Sequence, residues 1–546
     1  MKVGMLISDR YRKWFTTEEV CQFPKLKMWQ WLEVKQPPEK WVGVKCAGEG
    51  LEYLPQFIFD FDGNGKNWKV EIHNTGKEVN ASAINAHYPT EKVFPYGRHK
   101  LFQGKIEFES TRTPRLPEKR SVVKLFAHSV KKEGLNRAIK RSINHLRPNF
   151  MREYFGDVMG VFDGYYAFKG PGFVQIDVTN RCNNNCIGCW CNSPLLGSRR
   201  MNEDTKKFTL PLSLVKELID ELASTGTKEI YYSGGGEPFM HPDMFSILEY
   251  TKRRNLICHI NTNFTLLDKK NVERLINIPV DYITVSLWAG TPSTYTKIHP
   301  NKDEETFHEI LRCLKVLNSK KAHLPFVKLY QVICNLNYTE IPQMIELAKE
   351  THSESVEFTM IDTVPGATDV LLLSKNEQRQ LLRICQEVLN RRQEEGWMKD
   401  VVLFKFDNFL NRIRDSKDVT EGFYDRWIIG KIPCYIGWCS SRILANGDVN
   451  GCLKAHRIPV GNIYKKHFNE IWNSPQMLDF RHRTLTFDKN DPFFSLIGND
   501  PNSKVGCYKS CDDIGRNVIM HERIKSLSVL EKCYLKILSR KERKRY

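Results

Sequence analysis

Cys182, Cys186 and Cys189 stand in the stretch DVTNRCNNNCIGCWCNSPL at a C-x3-C-x2-C spacing. Three thiolates close together on one loop can hold three irons of a four-iron cubane and leave the fourth iron open. An open metal position is a feature of catalysis, because a structural site is closed by a fourth protein ligand. Zinc is the competing reading, but zinc sites usually pair two two-ligand knuckles, and no second knuckle lies near the triad. Further along, Ser233-Gly234-Gly235-Gly236-Glu237-Pro238 offers glycines that suit close backbone approach to a bound small molecule. Alone, that stretch reads as a strand-to-helix turn. Beside the triad it reads as part of a ligand site.

The elements that must position these residues are legible from Gly172 onward. Short apolar runs at 173–178, 229–232, 257–261, 282–287, 327–333 and 356–360 have the length and composition of strands. Amphipathic stretches at about 211–224, 242–253, 269–276, 304–318, 340–350 and 375–394 alternate with them. Six βα units in series predict an α/β fold with a parallel sheet and crossover helices. Curved into a partial barrel, such a sheet puts ligands at the C-terminal ends of its strands. The cysteine loop follows the first strand and the glycine-rich stretch follows the second.

On these motifs, residues 171–400 resemble the radical S-adenosylmethionine (SAM) enzymes, whose fold is a partial (βα)6 barrel. The resemblance implies that Cys182, Cys186 and Cys189 bind a 4Fe-4S cluster and that SAM occupies the open iron. One electron would then cleave SAM to methionine and a 5′-deoxyadenosyl radical, which abstracts hydrogen from substrate. The cofactor carries the hard chemistry, and the protein orients it. Gly235, Gly236 and Glu237 match the motif that contacts the SAM amino group. Thr262, Asn263 and Ser286 match positions that touch the methionine carboxylate or the ribose, and Asn337 follows the fifth strand. The family often has an aromatic residue before the third cysteine. Here that place is Gly188, with Trp190 after Cys189. Cys191 is not expected to ligate, because a fourth thiolate would block SAM. His241 reads as a helix-start residue.

A second cysteine set lies at 401–520. The stretch from Cys434 to Gly447 and Cys452, followed by Gly461-Asn462-Ile463 and the 468–474 segment, resembles a SPASM or twitch module, which binds auxiliary iron–sulfur clusters. Cys507 and Cys511 complete four ligands, enough for one closed 4Fe-4S cluster. Cys439 is held in reserve for Cys434. A closed auxiliary cluster implies electron transfer or scaffolding.

Around these modules, residues 1–115 read as a β-rich domain with strands at 41–45, 56–61, 68–72 and 105–108. The turn Asp62-Gly63-Asn64-Gly65 also fits a calcium-loop pattern running to Glu71, but its flanks alternate as strands, so a hairpin is expected. Residues 116–170 read as a basic helical connector and 521–546 as a basic C-terminal helix or tail. The chain carries 82 basic and 64 acidic side chains, a net charge of +18. Residues 101–150 hold about eight of the excess charges and 521–546 about six. Such segments suit solvated faces, an acidic partner or an anionic membrane surface. No nucleic-acid recognition motif accompanies them. No apolar run spans a bilayer, no signal peptide is evident, and an oxygen-sensitive cluster needs a reducing compartment, so the cytoplasm is expected.

The leading expectation is an oxidoreductase or maturase acting on a peptide or on a sugar or lipid-linked metabolite, fed by a flavodoxin- or ferredoxin-like one-electron donor. Methyl transfer or epimerisation is the alternative, and epimerisation would need a hydrogen-donor thiol, for which Cys334 is the candidate. A basic surface-binding protein with a purely structural cluster is the alternative from another class. No winged helix for a peptide leader is evident in the N-terminal region.

Overall fold

The computed structural model describes strand backbones within residues 2–110, the backbone of 148–154 and of Gly506, and side chains through 155–414, 420–486, 491–498 and 507–544. The expected strand at 41–45, the Asp62–Gly65 turn and the connector's 116–147 stretch lie outside the described residues.

The chain divides into two units, Met1–Arg120 and Ser121–Tyr546. The first contains an antiparallel sheet of order β2-β1-β3-β7-β6-β5-β4. Its strands are β1 (Lys2–Ile7), β2 (Arg12–Thr16), β3 (Trp29–Val34), β4 (Gln56–Phe61), β5 (Lys66–Asn74), β6 (Val79–Asn85) and β7 (Ile106–Ser110). β4 and β5 pair antiparallel from Phe61 opposite Lys66 to Gln56 opposite Glu71. Glu71 therefore lies within a strand, as the hairpin reading expects.

The second unit is built on parallel strands β8 (Phe173–Ile176), β9 (Glu229–Tyr232), β10 (Ile257–Thr262), β11 (Tyr282–Ser286), β12 (Phe326–Ile333) and β13 (Ser355–Met360), which pair in chain order. Crossover helices Leu212–Ser224, Met244–Arg253, Lys269–Ile276, Glu304–Lys320 and Ile341–Glu350 return the chain each time. Alternation within the strands follows from having two different faces. Ile230, Tyr232, Ile260, Ile283, Val285, Val327, Leu329 and Val356 are fully or almost fully buried in the main core. Each such aliphatic side chain contributes about 1.5–3 kcal/mol. Residues of the other parity are polar and aromatic. Tyr231, His259, Tyr282 and Phe326 form a ladder with centroids 4.5, 5.5 and 6.1 Å apart. His259 shares a hydrogen bond with the Thr284 hydroxyl, 2.8 Å, and Lys328 pairs with Glu357.

The sheet extends further than six strands. β14 (Val402–Phe404) runs parallel to β13, and β15 (Ser440–Ile443) runs parallel to β8 on the opposite edge. β16 (Asp448–Asn450) and β17 (Gly461–Asn462) continue antiparallel from β15. The cysteine-bearing C-terminal region thus shares one sheet with the barrel.

Two helices, Ile514–Ser526 and Val529–Arg543, end the chain. The last packs against Pro148–Asp163, with Arg543 paired to Asp163 at 3.1 Å.

Candidate active site

The cysteine loop leaves β8 and is tied down by its own asparagines. Asn183 accepts from the Asn263 amide, 2.9 Å, and donates to the Thr265 hydroxyl, 2.8 Å. Asn185 accepts from Arg200, 3.0 Å, and its backbone N–H reaches Asn301, 2.9 Å. Backbone N–H groups already point at the sulfurs: Asn184 at Cys182, 3.4 Å, and Asn192 at Cys189, 3.3 Å. The three thiols sit close enough to influence one another. Burial pushes Cys182 up to about 12 and Cys186 well above the usual thiol range. Cys189 is instead lowered to about 7, first by the hydrogen bond from Cys191, whose sulfur lies 3.7 Å away. Three soft donors on one loop, two of them with N–H donors aimed at the sulfur, fit a 4Fe-4S cluster with one iron left free.

The glycine stretch is packed directly against this loop. A Cβ on Gly236 would stand 2.3 Å from the Arg181 carbonyl oxygen and 2.6 Å from that of Thr179. Gly234 has φ +128 and lies against the Asp177 carboxyl group. Gly235 donates its N–H to Asp177, 3.2 Å, and accepts from Cys191, 3.5 Å. These glycines are thus required by the close packing of the fold. Glu237 is buried, and its carboxylate accepts from the Thr262 hydroxyl at 2.6 Å, the Asn263 N–H at 2.7 Å and the Phe239 N–H at 3.2 Å. Burial raises its pKa to about 7, opposed by these donors. Glu237, Thr262 and Asn263 form one network joining the ends of β9 and β10 to the cysteine loop.

Ser286 and Asn337 converge on a residue that the sequence reading did not single out. Trp288 follows β11 with φ +60, and its indole N–H donates to Ser286, 2.7 Å. The Asn337 amide donates to the Trp288 carbonyl, 2.8 Å, and to that of Val332, 2.8 Å, while accepting from the Cys334 N–H, 2.8 Å. A Cβ at Gly188 would stand 3.1 Å from the Trp288 ring and 2.6 Å from Ile361. An aromatic surface therefore borders the loop just before Cys189, delivered from another strand. The only sequence signal was an aromatic two residues past Ser286.

A second unpredicted element is the buried pair Asp177–Arg442, 2.6 Å apart. Arg442 on β15 also donates to the Leu453 carbonyl, 2.7 Å, and lies over the Trp190 ring. It ties the glycine stretch and the cysteine loop to the loop of Cys452. Each partner was visible as a charge in an apolar strand, but not as half of a pair. His456 from the same C-terminal loop packs on Trp190, ring centroids 4.9 Å apart, and burial lowers its pKa to about 4. His241 is buried, bonding the Leu210 carbonyl through Nε2 and accepting from Asp243 N–H through Nδ1, a structural role. Cys334 is buried at the end of β12.

Cys434, Cys452, Cys507 and Cys511 line a single cavity of about 630 Å³, counting its solvent-open part. Cys439 is not in that lining, and its thiol donates to the Tyr435 carbonyl, 3.4 Å. Burial pushes Cys434 and Cys507 up to about 12, and Cys452 and Cys511 higher. Among the described residues no His, Cys, Asp or Glu group is gathered for a single metal ion. Four thiols spread around a hollow suit a closed four-iron cluster.

Residues 176–348 match the radical SAM superfamily, and residues 434–493 match SPASM, an iron–sulfur cluster-binding domain. The chain is 28% identical over 314 residues to Fe-coproporphyrin III synthase of Methanosarcina barkeri (strain Fusaro / DSM 804), covering 54% of this chain and 72% of that protein. It is 31% identical over 182 residues to the AdoMet-dependent heme synthase of the same organism, covering 33% of this chain and about half, 48%, of that protein. PqqA peptide cyclase of Gluconobacter oxydans (strain 621H) is 27% identical over 321 residues, 57% of this chain and 79% of that protein.

Proposed function

From a chain that carries a radical SAM superfamily domain and a SPASM iron–sulfur domain, we propose an oxidoreductase or maturase that acts on a peptide. The observation that carries this reading is the packing of the cysteine loop onto the Gly234–Glu237 stretch, with four further thiols around one separate cavity. When bound, a reduced 4Fe-4S cluster and SAM supply a 5′-deoxyadenosyl radical that takes a hydrogen atom from substrate.

This chain's residues do the holding. Cys182, Cys186 and Cys189 ligate the first cluster, and Cys191 and Asn192 donate to the Cys189 sulfur. The backbone carbonyls of Gly235 and Gly236 would take the amino acid end of SAM, the Gly235 N–H being held by Asp177. Glu237, Thr262 and Asn263 set the position of that backbone. Ser286 and Asn337 hold Trp288, whose ring would be available to the adenine. Cys434, Cys452, Cys507 and Cys511 ligate the auxiliary cluster. A flavodoxin- or ferredoxin-like protein supplies the electron, in the reducing environment of the cytoplasm. Among the described residues no helix is long and apolar enough to cross a membrane.

The peptide reading draws support from the PqqA cyclase relative. The two Methanosarcina barkeri relatives favour a second reading, modification of a tetrapyrrole. Anaerobic reconstitution should give about eight irons per chain, two four-iron clusters. Dithionite plus SAM should release 5′-deoxyadenosine, and C182A/C186A/C189A should release none. Release by the triple variant would defeat the cluster assignment. C434A should halve the iron content and C439A should leave it unchanged; the reverse would exchange the two ligands. Turnover with iron-coproporphyrin, and none with precursor peptides, would replace the peptide reading by the tetrapyrrole one.

A further inference from the structure

Between the two partnered asparagines of the cysteine loop stands a third whose carboxamide closes no full hydrogen bond. Asn184 is 3% exposed, yet neither oxygen nor nitrogen of its carboxamide has a hydrogen-bond partner. The hydroxyl of Tyr295 is orphaned as well, 1% exposed. Leaving such groups unpaired in the interior costs about 1–3 kcal/mol each. The two groups are neighbours: the Asn184 carboxamide interacts with both the Cys186 sulfur and the Tyr295 hydroxyl, at a geometry short of a full hydrogen bond to either. The tyrosine is fixed from behind. The His299 ring packs tilted against its ring, centroids 4.3 Å apart, and bonds its carbonyl through Nδ1, 3.0 Å. The asparagine backbone is fixed by its N–H on Cys182 and by Asn192 donating to its carbonyl, 3.2 Å. Such a rigid, buried, unpaired amide makes sense when an acceptor completes it. A neutral thiol accepts hydrogen bonds weakly. A thiolate on iron accepts them well.

We infer that the Asn184 carboxamide, oriented by the Tyr295 hydroxyl, donates a hydrogen bond to the cluster-ligating sulfur of Cys186 and thereby raises the reduction potential of the first cluster. The inference rests on the cluster reading above. In this arrangement Tyr295 O–H donates to Asn184 Oδ1, and Asn184 Nδ2 donates to the sulfur. Both orphans are then satisfied by one ligand atom. A donor to a ligand sulfur stabilises the more negative, reduced cluster, so the potential moves up. Asn184 is a positioning and tuning residue, since it acts through Cys186.

The test is a potentiometric titration of reconstituted full-length protein, followed by the electron paramagnetic resonance signal of the reduced first cluster in a C434A/C452A background. N184L should lower the reduced fraction at fixed potential about tenfold, the effect of one charge-assisted bond, which is 59 mV for a one-electron couple. Y295F should shift it the same way by less. N184L/Y295F should shift no further than N184L, because the tyrosine acts through the amide. Unchanged potentials in both single variants, or additive shifts, would overturn the inference. If N184L fails to load iron, Y295F decides alone by the presence or absence of its shift. Wild-type protein that loads no cluster at the triad would instead defeat the reading beneath it.

Discussion

Asp177 and Arg442 show how much one buried pair can carry. The guanidinium takes the carboxylate, the Leu453 carbonyl and the face of Trp190 at once, and the carboxylate also receives the Gly235 N–H. Removing one partner leaves the other charge buried alone, which costs about 3–5 kcal/mol. R442M should lower unfolding stability by that amount in urea titrations, and the double variant D177L/R442M should recover part of it. Glu237 sets a pH dependence. Its carboxyl is raised to about 7 by burial, from an ordinary value of 4.5. Between those values the unfolded chain gives up the proton and the folded chain keeps it. Stability therefore falls as pH rises from about 4.5 to about 7, by up to about 3 kcal/mol, and levels off above. E237Q should flatten that part of the profile; an unchanged slope would place the titration elsewhere.

Among elements, the strand ends decide the site. β11 ends at Ser286, and the chain then turns through a left-handed Trp288 that Ser286 and Asn337 hold from two sides. Ser286 and Asn337 were legible as polar residues after strands, and the expectation was direct contact with SAM. Ser286 also accepts from the Trp288 indole and Asn337 donates to the Trp288 carbonyl, a relation that exists only once β11 and β12 lie side by side. We expect W288A to weaken SAM binding to reconstituted protein about tenfold by calorimetry, with N337L following because it frees the same carbonyl. W288F should retain most of the affinity. Equal affinities in all variants would remove the indole from the ligand surface. Gly188 illustrates the same limit. Its position beside the third cysteine was visible, but the ring that fills the space comes from a residue 100 positions later.

Across the second unit, the C-terminal cysteine region is structurally part of the barrel. β15 supplies the parallel neighbour of β8, with Ser440 opposite Phe173 and Ile443 opposite Ile176. Arg481 is fully buried, donating to the Gly437, Trp472 and Tyr165 carbonyls. The last helix packs against Pro148–Asp163. A chain ended at residue 425 would expose the edge of β8 and leave Asp177 unpaired. It should elute as aggregate in size-exclusion chromatography and lose its cooperative thermal transition. A monomeric, cooperatively melting fragment would show that the barrel stands without β15.

The six βα units were legible because periodicity is local: apolar runs and amphipathic turns record burial within ten or twenty residues. Strand starts at Glu229, Ile257 and Tyr282 and helices at 269–276 and 375–394 follow from that record. The cysteine triad and the glycine-rich stretch were legible because ligands on one loop must have close spacing. By itself, then, the sequence determined the order of elements, the chemistry of the ligands and the face on which they meet. Tertiary structure alone decided that Arg442 pairs with Asp177 across 265 residues, that Trp288 borders Gly188, and that Cys434 rather than Cys439 lines the cavity with Cys452, Cys507 and Cys511. Each is a contact between distant segments. Its energy comes from excluding water between surfaces that meet only after the chain has folded, so no local pattern records it.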